Sequence, residues 1–238
     1  MAIEGIYASA SALRLNERRL GQGAHNLANL STPGYQPRRV EQAELAGGGV
    51  QAVATSPLGG GPILASDRPL DLALDGGGFF VLGDGQGGQV YSRAGNFMLD
   101  AQGQLVDPLG RPVQPAITLP AQTAQVYITP EGQVQALAGD GTVLASGQLQ
   151  TAIFGNSGGL TALGGNVYAA TPASGPPVTA PPGTPGHGLV VAGASQASGT
   201  DIVDEMLNLT QTERELEANL RTLRAHDEMV GTILDVVA

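Results

Sequence analysis

Apolar residues recur with heptad spacing at both ends of this chain, and that pattern limits what it can fold into. Toward the C-terminus the positions are Ile202, Met206, Leu209, Leu216, Leu220, Leu223, Val230, Leu234 and Val237, interrupted only by Glu213 and Asp227. Toward the N-terminus they are Ile6, Ala10, Leu13, Leu20, Ala24 and Leu27, interrupted by Glu17. A helix carrying such a stripe gains stability chiefly by covering it. The two ends are therefore expected to pair with each other or with copies of themselves. Ile6, Leu13, Leu20, Leu27, Met206, Leu209, Leu216, Leu220, Leu223 and Val230 are the candidate assembly positions.

Between the ends the pattern changes to β. Leu70, Leu72 and Leu74 alternate with Asp71, Ala73 and Asp75, which predicts a half-buried strand. The apolar run Phe79–Leu82 follows, and 84–88 reads as a hairpin loop. Asp100-Ala101-Gln102-Gly103 and Thr129-Pro130-Glu131-Gly132 read as further turns between short strands. Gly (36) and Pro (16) are abundant, as many short strands joined by turns require. Residues 171–188, rich in Pro and Gly, read as a mobile surface loop. The expected class is mainly β with terminal helices, the N- and C-terminal helices pairing as a coiled-coil-like inner domain and the centre forming a β-rich domain of hairpins. The expected divisions are a helical segment at 1–35, an extended linker at 36–66, a β-rich domain at 67–198 and a second helical segment at 199–238. Thr200 or Asp201 is expected to cap the last helix.

Few chemistries are open to this chain. Cysteine is absent, which excludes disulfides and thiol catalysis. Gly155-Asn156-Ser157-Gly158-Gly159 fits a nucleophile-elbow pattern, but His25, His187 and His226 are not placed to serve it and no helix is expected after the serine. His226-Asp227-Glu228 lacks a second histidine one turn away, so no metal is expected. The glycine-rich run 83–88 lacks the lysine or repeated aspartates of phosphate and calcium loops. The sequons at Asn29 and Asn208 fall on expected helices and carry no weight. No catalytic residue, cofactor or metal site is expected. A net charge of −10 argues against nucleic acid or an anionic membrane as partner. No run is long and apolar enough to span a bilayer, and the first residues are not patterned as a cleaved signal.

Asn26-Leu27-Ala28-Asn29-Leu30-Ser31-Thr32-Pro33-Gly34-Tyr35 resembles the A-x-N-L-A-N-x-x-T-x-G-[YF] signature of the bacterial flagellar rod and hook axial proteins. Leu74–Val81, Tyr91–Asp100 and Gly103–Val106 are similar to successive motifs of that family, and Val203–Leu209 to the start of its last helix. Residues 113–120 and 158–168 are most similar to its distal-rod branch. Two departures keep the proximal rod subunit as an alternative. The segment after Tyr35 is short and glycine-rich, and Glu213-Arg214-Glu215-Leu216 stands where relatives carry an aromatic after the arginine.

The resemblance implies a tubular structure with the terminal helices inside and the β-rich domain outside. It also implies copies of the chain, other rod subunits, the hook, the surrounding rings and the flagellar export apparatus as partners, and a place in the basal body reached without a cleaved signal. Asn26 and Asn29 are expected to bond main chain near the helix end, Gly34 to permit the exit turn, and Tyr35 to anchor it on a neighbouring helix. Gly34→Val is expected to impair assembly more than the β-rich domain. Glu17, Glu213 and Asp227 are expected either to meet arginines such as Arg14, Arg18, Arg221 or Arg224 or to face a wet channel. Both helical ends are expected to order on assembly. A reading from another class is a secreted β-rich adhesin with a helical stalk.

Overall fold

The computed structural model describes the backbone of residues 2–44, 50–55 and 60–237, and the side chains of 9–40, 42–43, 60–226 and 228–229. Two compact units emerge, one formed by Met1–Leu30, Pro37–Pro57 and Thr200–Ala238, the other by Ser31–Gln36 and Leu58–Gly199. The fold is mainly β, with a helix toward each end of the chain.

In the first unit, helix α1 (Ala2–Ala28) is followed by the antiparallel pair β1 (Arg39–Glu44) and β2 (Val50–Thr55). Helix α2 (Ile202–Val237) completes it. Asp201 starts α2, its Oδ1 accepting from the N–H groups of Val203 at 2.8 Å and Asp204 at 3.2 Å, and Asp204 and Glu205 favour the positive end of the helix dipole. Helix α1 packs against α2 and against both strands. Pairing of Asn26 with Glu205 and of Arg19 with Glu215 makes the helices antiparallel.

The helices do not meet along the expected stripes. On α2 the covered positions are Glu205, Leu209, Thr212, Leu216, Asn219, Leu223 and His226. Leu209, Leu216 and Leu223 therefore turn inward as expected, whereas Ile202 (44%), Met206 (56%) and Leu220 (38%) stay exposed. The contact is rotated by roughly 60° around α2 from the centre of the apolar stripe. On α1 the most buried side chains are Leu15, Asn16 and Asn26, while Leu13, Leu20 and Leu27 are half-buried. The physical reason lies at Gly23. A Cβ there would stand 2.6 Å from Leu209 Cδ2 and 3.0 Å from Glu205 Oε1, so glycine lets α2 approach on this face of α1. The side chains of Ile6 and Val230 lie outside the described residues.

The second unit is built on strands β3 (Ile63–Ala65), β4 (Leu72–Asp75), β5 (Phe79–Gly83), β6 (Gln89–Ser92), β7 (Met98–Leu99), β8 (Leu105–Val106), β9 (Gln125–Ile128) and β10 (Gln133–Leu137). It continues with β11 (Val143–Gln148), β12 (Thr151–Ile153), β13 (Thr161–Gly164), β14 (Val167–Ala169), β15 (Val178–Ala180), β16 (Leu189–Ala192) and β17 (Ala194–Gln196). The largest sheet has the order β13-β14-β6-β5-β12-β15, and β11-β10-β9 forms a meander. Smaller antiparallel pairs join β16 to β4, β17 to β3 and β7 to β8.

Strand β5 organises the core because it is buried on both faces. Phe80 and Leu82 enter a cluster with Leu72, Leu74, Phe97 and Leu105, while Phe79 and Val81 enter another with Tyr91, Leu160 and Tyr168. Phe80 meets Phe97 edge-on at 5.2 Å, and Phe79 and Tyr91 meet Phe154 at 5.9 and 4.8 Å. Aromatics are only 4% of the chain, and every phenylalanine is spent here. Ala73 is also fully buried, so β4 is covered on the face that alternation assigned to water.

Turn chemistry is local. Asp84 Oδ1 accepts from the N–H groups of Gln86 and Gly88, Asp100 Oδ1 from Gln102 and Gln104, and Asp107 Oδ1 from Leu109 and Arg111. Each aspartate thus satisfies two donors that the turn leaves unpaired. Gly155–Gly159 is such a connection too, closing on a short 3-10 turn at Ser157–Gly159 instead of an elbow.

The expectation of a mobile loop at 171–188 is corrected. Val178–Ala180 forms β15, antiparallel to β12 at the edge of the largest sheet. An edge strand tolerates flanking prolines because one side of its backbone needs no ladder donors. Ser174 is buried, and His187 is buried with Nδ1 hydrogen-bonded to Thr151 Oγ1 at 2.8 Å.

Burial holds the His187 imidazole below its ordinary pKa. The unfolded chain therefore binds more protons than the native one just below about pH 6.5. Stability contributed by neutral His187 is fully present above that pH and is lost as pH falls through the depressed native value. Denaturant unfolding of the β unit at pH 7 and pH 5 is expected to show this loss, and His187→Gln to diminish the difference.

Candidate assembly interface

Asn26 is the centre of the helical unit. It is 1% exposed, and its amide uses its whole hydrogen-bonding capacity. Nδ2 donates to the carbonyl of Arg38 at 2.8 Å and to Glu205 Oε1 at 3.3 Å. Oδ1 accepts from the N–H of Arg38 at 3.1 Å and from Gln22 Nε2 at 3.2 Å. One side chain on α1 therefore pairs with the backbone just before β1 as a neighbouring strand would, and reaches α2 as well. Asn29 behaves as expected, its Nδ2 donating to the His25 carbonyl at 2.9 Å where the helix ladder runs out.

Gly34 and Tyr35 belong to the other unit. Gly34 has φ +64°, the left-handed region that favours glycine, and its N–H donates to the Gln196 carbonyl at 2.7 Å. A Cβ at this position would lie 2.6 Å from the Ala94 nitrogen. Asn166 Nδ2 donates to the Pro33 carbonyl at 2.8 Å, and the Gly199 N–H to that of Tyr35 at 2.9 Å. Tyr35 is buried within this β unit. Main-chain hydrogen bonds thus tie the exit turn into the β unit.

Arg93 fixes the adjoining backbone. Nε donates to Gln196 Oε1 at 2.7 Å, Nη2 to the carbonyls of Leu74 at 2.8 Å and Gly76 at 2.5 Å, and Nη1 to that of Gly78 at 2.5 Å. Desolvation lowers this guanidinium to about 10, opposed by the negative field of Asp75, so it remains charged at neutral pH. One cation holds the β4–β5 turn, the end of β6 and β17 together.

Charges on the helical unit are arranged unevenly. A niche of about 280 Å³ is lined by Arg19, Arg38, Arg39, Gln22, Asn208 and Gln211, among others. Arg19 pairs with Glu215 across it at 3.3 Å, and Arg38 Nη2 is buried with no hydrogen-bond partner among the described residues. Glu17 and Glu213 are exposed. Arg221 pairs with Glu217 at 3.6 Å rather than with Glu213. The side chain of Asp227 lies outside the described residues. Sequence periodicity could not single out Glu205, Thr212, Arg19 or Arg38, because none is apolar; only the glycine at 23 signals where the helices approach. In the β unit an apolar groove of about 720 Å³ runs beside β9, lined by Leu70, Leu119, Val126, Tyr127 and Leu137.

Residues 73–136 match the flagellar hook protein FlgE/F/G D1 domain, and residues 191–236 match the flagellar basal body rod FlgEFG protein C-terminal domain. The chain is 32% identical to the flagellar basal-body rod protein FlgG of Caulobacter vibrioides, over 96% of this chain and 97% of that protein. It is 32% identical to FlgG of Agrobacterium fabrum over 94% and 96%, and 28% identical to FlgG of Bacillus subtilis over 98% and 99%. Similarity to the flagellar hook protein FlgE of Salmonella typhimurium, 32%, covers 41% of this chain and 26% of that protein. The chain belongs to the flagellar basal-body rod protein family.

Asn26→Ala removes partners from the Arg38 main chain and from Glu205, at about 1–3 kcal/mol for each buried group left unpaired. Asn26→Asp is expected to be worse although isosteric, because it turns an acceptor toward the Arg38 carbonyl and the Glu205 carboxylate. Thermal unfolding followed by helical circular dichroism is expected to place wild type highest, Asn26→Ala next and Asn26→Asp lowest. Gly34→Val is expected to destabilise the β unit by about 2 kcal/mol or more, from its φ and the blocked space. Denaturant unfolding followed by tyrosine fluorescence checks it, and an unchanged midpoint refutes it.

Proposed function

We propose that this chain is a structural subunit of the bacterial flagellar rod, in the distal rod, where it polymerises through its terminal helices into a tubular shaft that transmits torque. The observation that carries this reading is the helical unit itself. Both ends of the chain meet there, and α2 still presents Ile202, Val203, Met206 and Leu207 outward. Each buried aliphatic side chain of this kind contributes about 1.5–3 kcal/mol relative to exposure. Covering such a row against further subunits offsets the ordering entropy of association. Whole-length similarity to proteins named for the rod supports that place over the hook, whose named relative shares less than half of the chain.

Torque passes through such a shaft by the stiffness of its subunit contacts, without catalytic chemistry. Its partners are copies of itself, the other rod subunits, the hook and the surrounding rings, and it reaches the periplasm-spanning rod through the flagellar export apparatus.

Concentrated or seeded protein is expected to form tubes in negative-stain electron microscopy, and a solution that stays monodisperse at every concentration refutes the reading. Hydrogen exchange is expected to find α2 weakly protected in the free subunit and strongly protected in the tubes. Equal protection in both states would contradict folding coupled to assembly.

A further inference from the structure

The two flanks of α2 in the helical unit carry complementary features. On one flank Ile202, Met206 and Leu220 are exposed, with Glu213 between them two helical turns from Met206 and from Leu220. Glu213 is exposed and makes no ion pair among the described residues. On the opposite flank Asn208, Gln211 and Glu215 border the niche that holds Arg19, Arg38 and Arg39. Arginine supplies every one of the eleven cations in a chain of net charge −10, so a niche that gathers these three is a local reversal of sign.

Each flank is incomplete alone. Covering the apolar side chains of the first takes Glu213 out of water with them, and a buried carboxylate without a partner is costly. On the second, Arg19 is engaged by Glu215, but Arg38 Nη2 is buried with no hydrogen-bond partner among the described residues. Gln22, Asn208 and Gln211 add amide N–H groups able to donate to a carboxylate, whereas the Thr212 hydroxyl is already donated to the Asn208 carbonyl at 2.7 Å.

We propose that the occupant of the arginine niche is Glu213 of a second copy of this chain, delivered when the Ile202–Met206–Leu220 flank of that copy docks beside it. This rests on the polymerisation proposed above and specifies its contact. A guanidinium fork matches a carboxylate, and a desolvated pair of this kind couples more strongly than an exposed one. Because donor and acceptor flanks lie on opposite sides of α2, the contact is heterologous. Each docked copy presents a free flank to the next, so the contact propagates into a ring or an open helical polymer and does not close as a dimer.

Charge exchange in the full-length chain tests this. Glu213→Arg and Arg38→Glu are each expected to raise the concentration needed for tube formation about tenfold or more, and the double variant to recover most of the loss. Arg39→Glu, at an exposed position of the niche, gives a second acceptor variant if Arg38→Glu loses helical circular dichroism as a monomer. In wild type, the threshold concentration is expected to rise with sodium chloride. Tubes from Glu213→Arg at the wild-type threshold would overturn the pairing while leaving polymerisation intact. Failure of both exchanged pairs, Glu213→Arg with Arg38→Glu and with Arg39→Glu, to recover tubes would also overturn it. A wild-type chain that forms no tubes would overturn polymerisation itself and this contact with it.

Discussion

The contact between α1 and α2 is decided by a polar residue, and the character of the helical unit follows from that. Asn26 demands partners for every donor and acceptor it buries, and it finds them on the Arg38 main chain, Gln22 and Glu205. A buried amide left half-paired is costly, so α2 must present Glu205 to it. Gly23, a turn earlier on α1, removes the side chain that would block this approach. Together they rotate α2 away from its greasiest line. The helix pair is specified by hydrogen bonding, and much of its apolar surface remains outward.

A lone amphipathic helix pair would ordinarily face its apolar stripes together, as coiled coils do. This unit is arranged differently, and its composition suits a subunit with further contacts to make. Polar residues fix the register of the helix pair, while apolar ones such as Ile202, Val203, Met206 and Leu207 remain exposed. The β unit shows the opposite economy. Its aromatic side chains converge on β5, its turns are closed by their own aspartates, and the buried Arg93 guanidinium ties separate strands through main-chain carbonyls.

Much of the architecture was legible in the residues. The helical ends, the β-rich middle, the hairpin at Asp84 and the turns at Asp100 and Thr129 follow from periodicity and turn chemistry, which are local properties. Two kinds of feature were not legible. Which stripe of α2 meets α1 depends on Gly23, Asn26 and Glu205, residues far apart in the chain, and a count of apolar positions weighs none of them. The strand at Val178–Ala180 was hidden because prolines on either side imitate a loop, and only its place at a sheet edge makes them harmless. The Asn26–Tyr35 signature looked like a single helix stop. In fact its asparagines serve the helical unit, whereas Gly34 and Tyr35 serve the β unit.

The pairing order of the β unit bears on when it can form. Strands β3 and β4, near its beginning, have β17 and β16 as partners, and Arg93 needs Gln196 as an acceptor. A chain threaded from its N-terminus through any narrow passage lacks these partners until almost the whole of it has emerged. The local turns are free to appear early, but the long-range closure that locks them must wait. Such an arrangement keeps a partly delivered chain pliable, and makes the arrival of residues near 196 the step that commits it to its final shape.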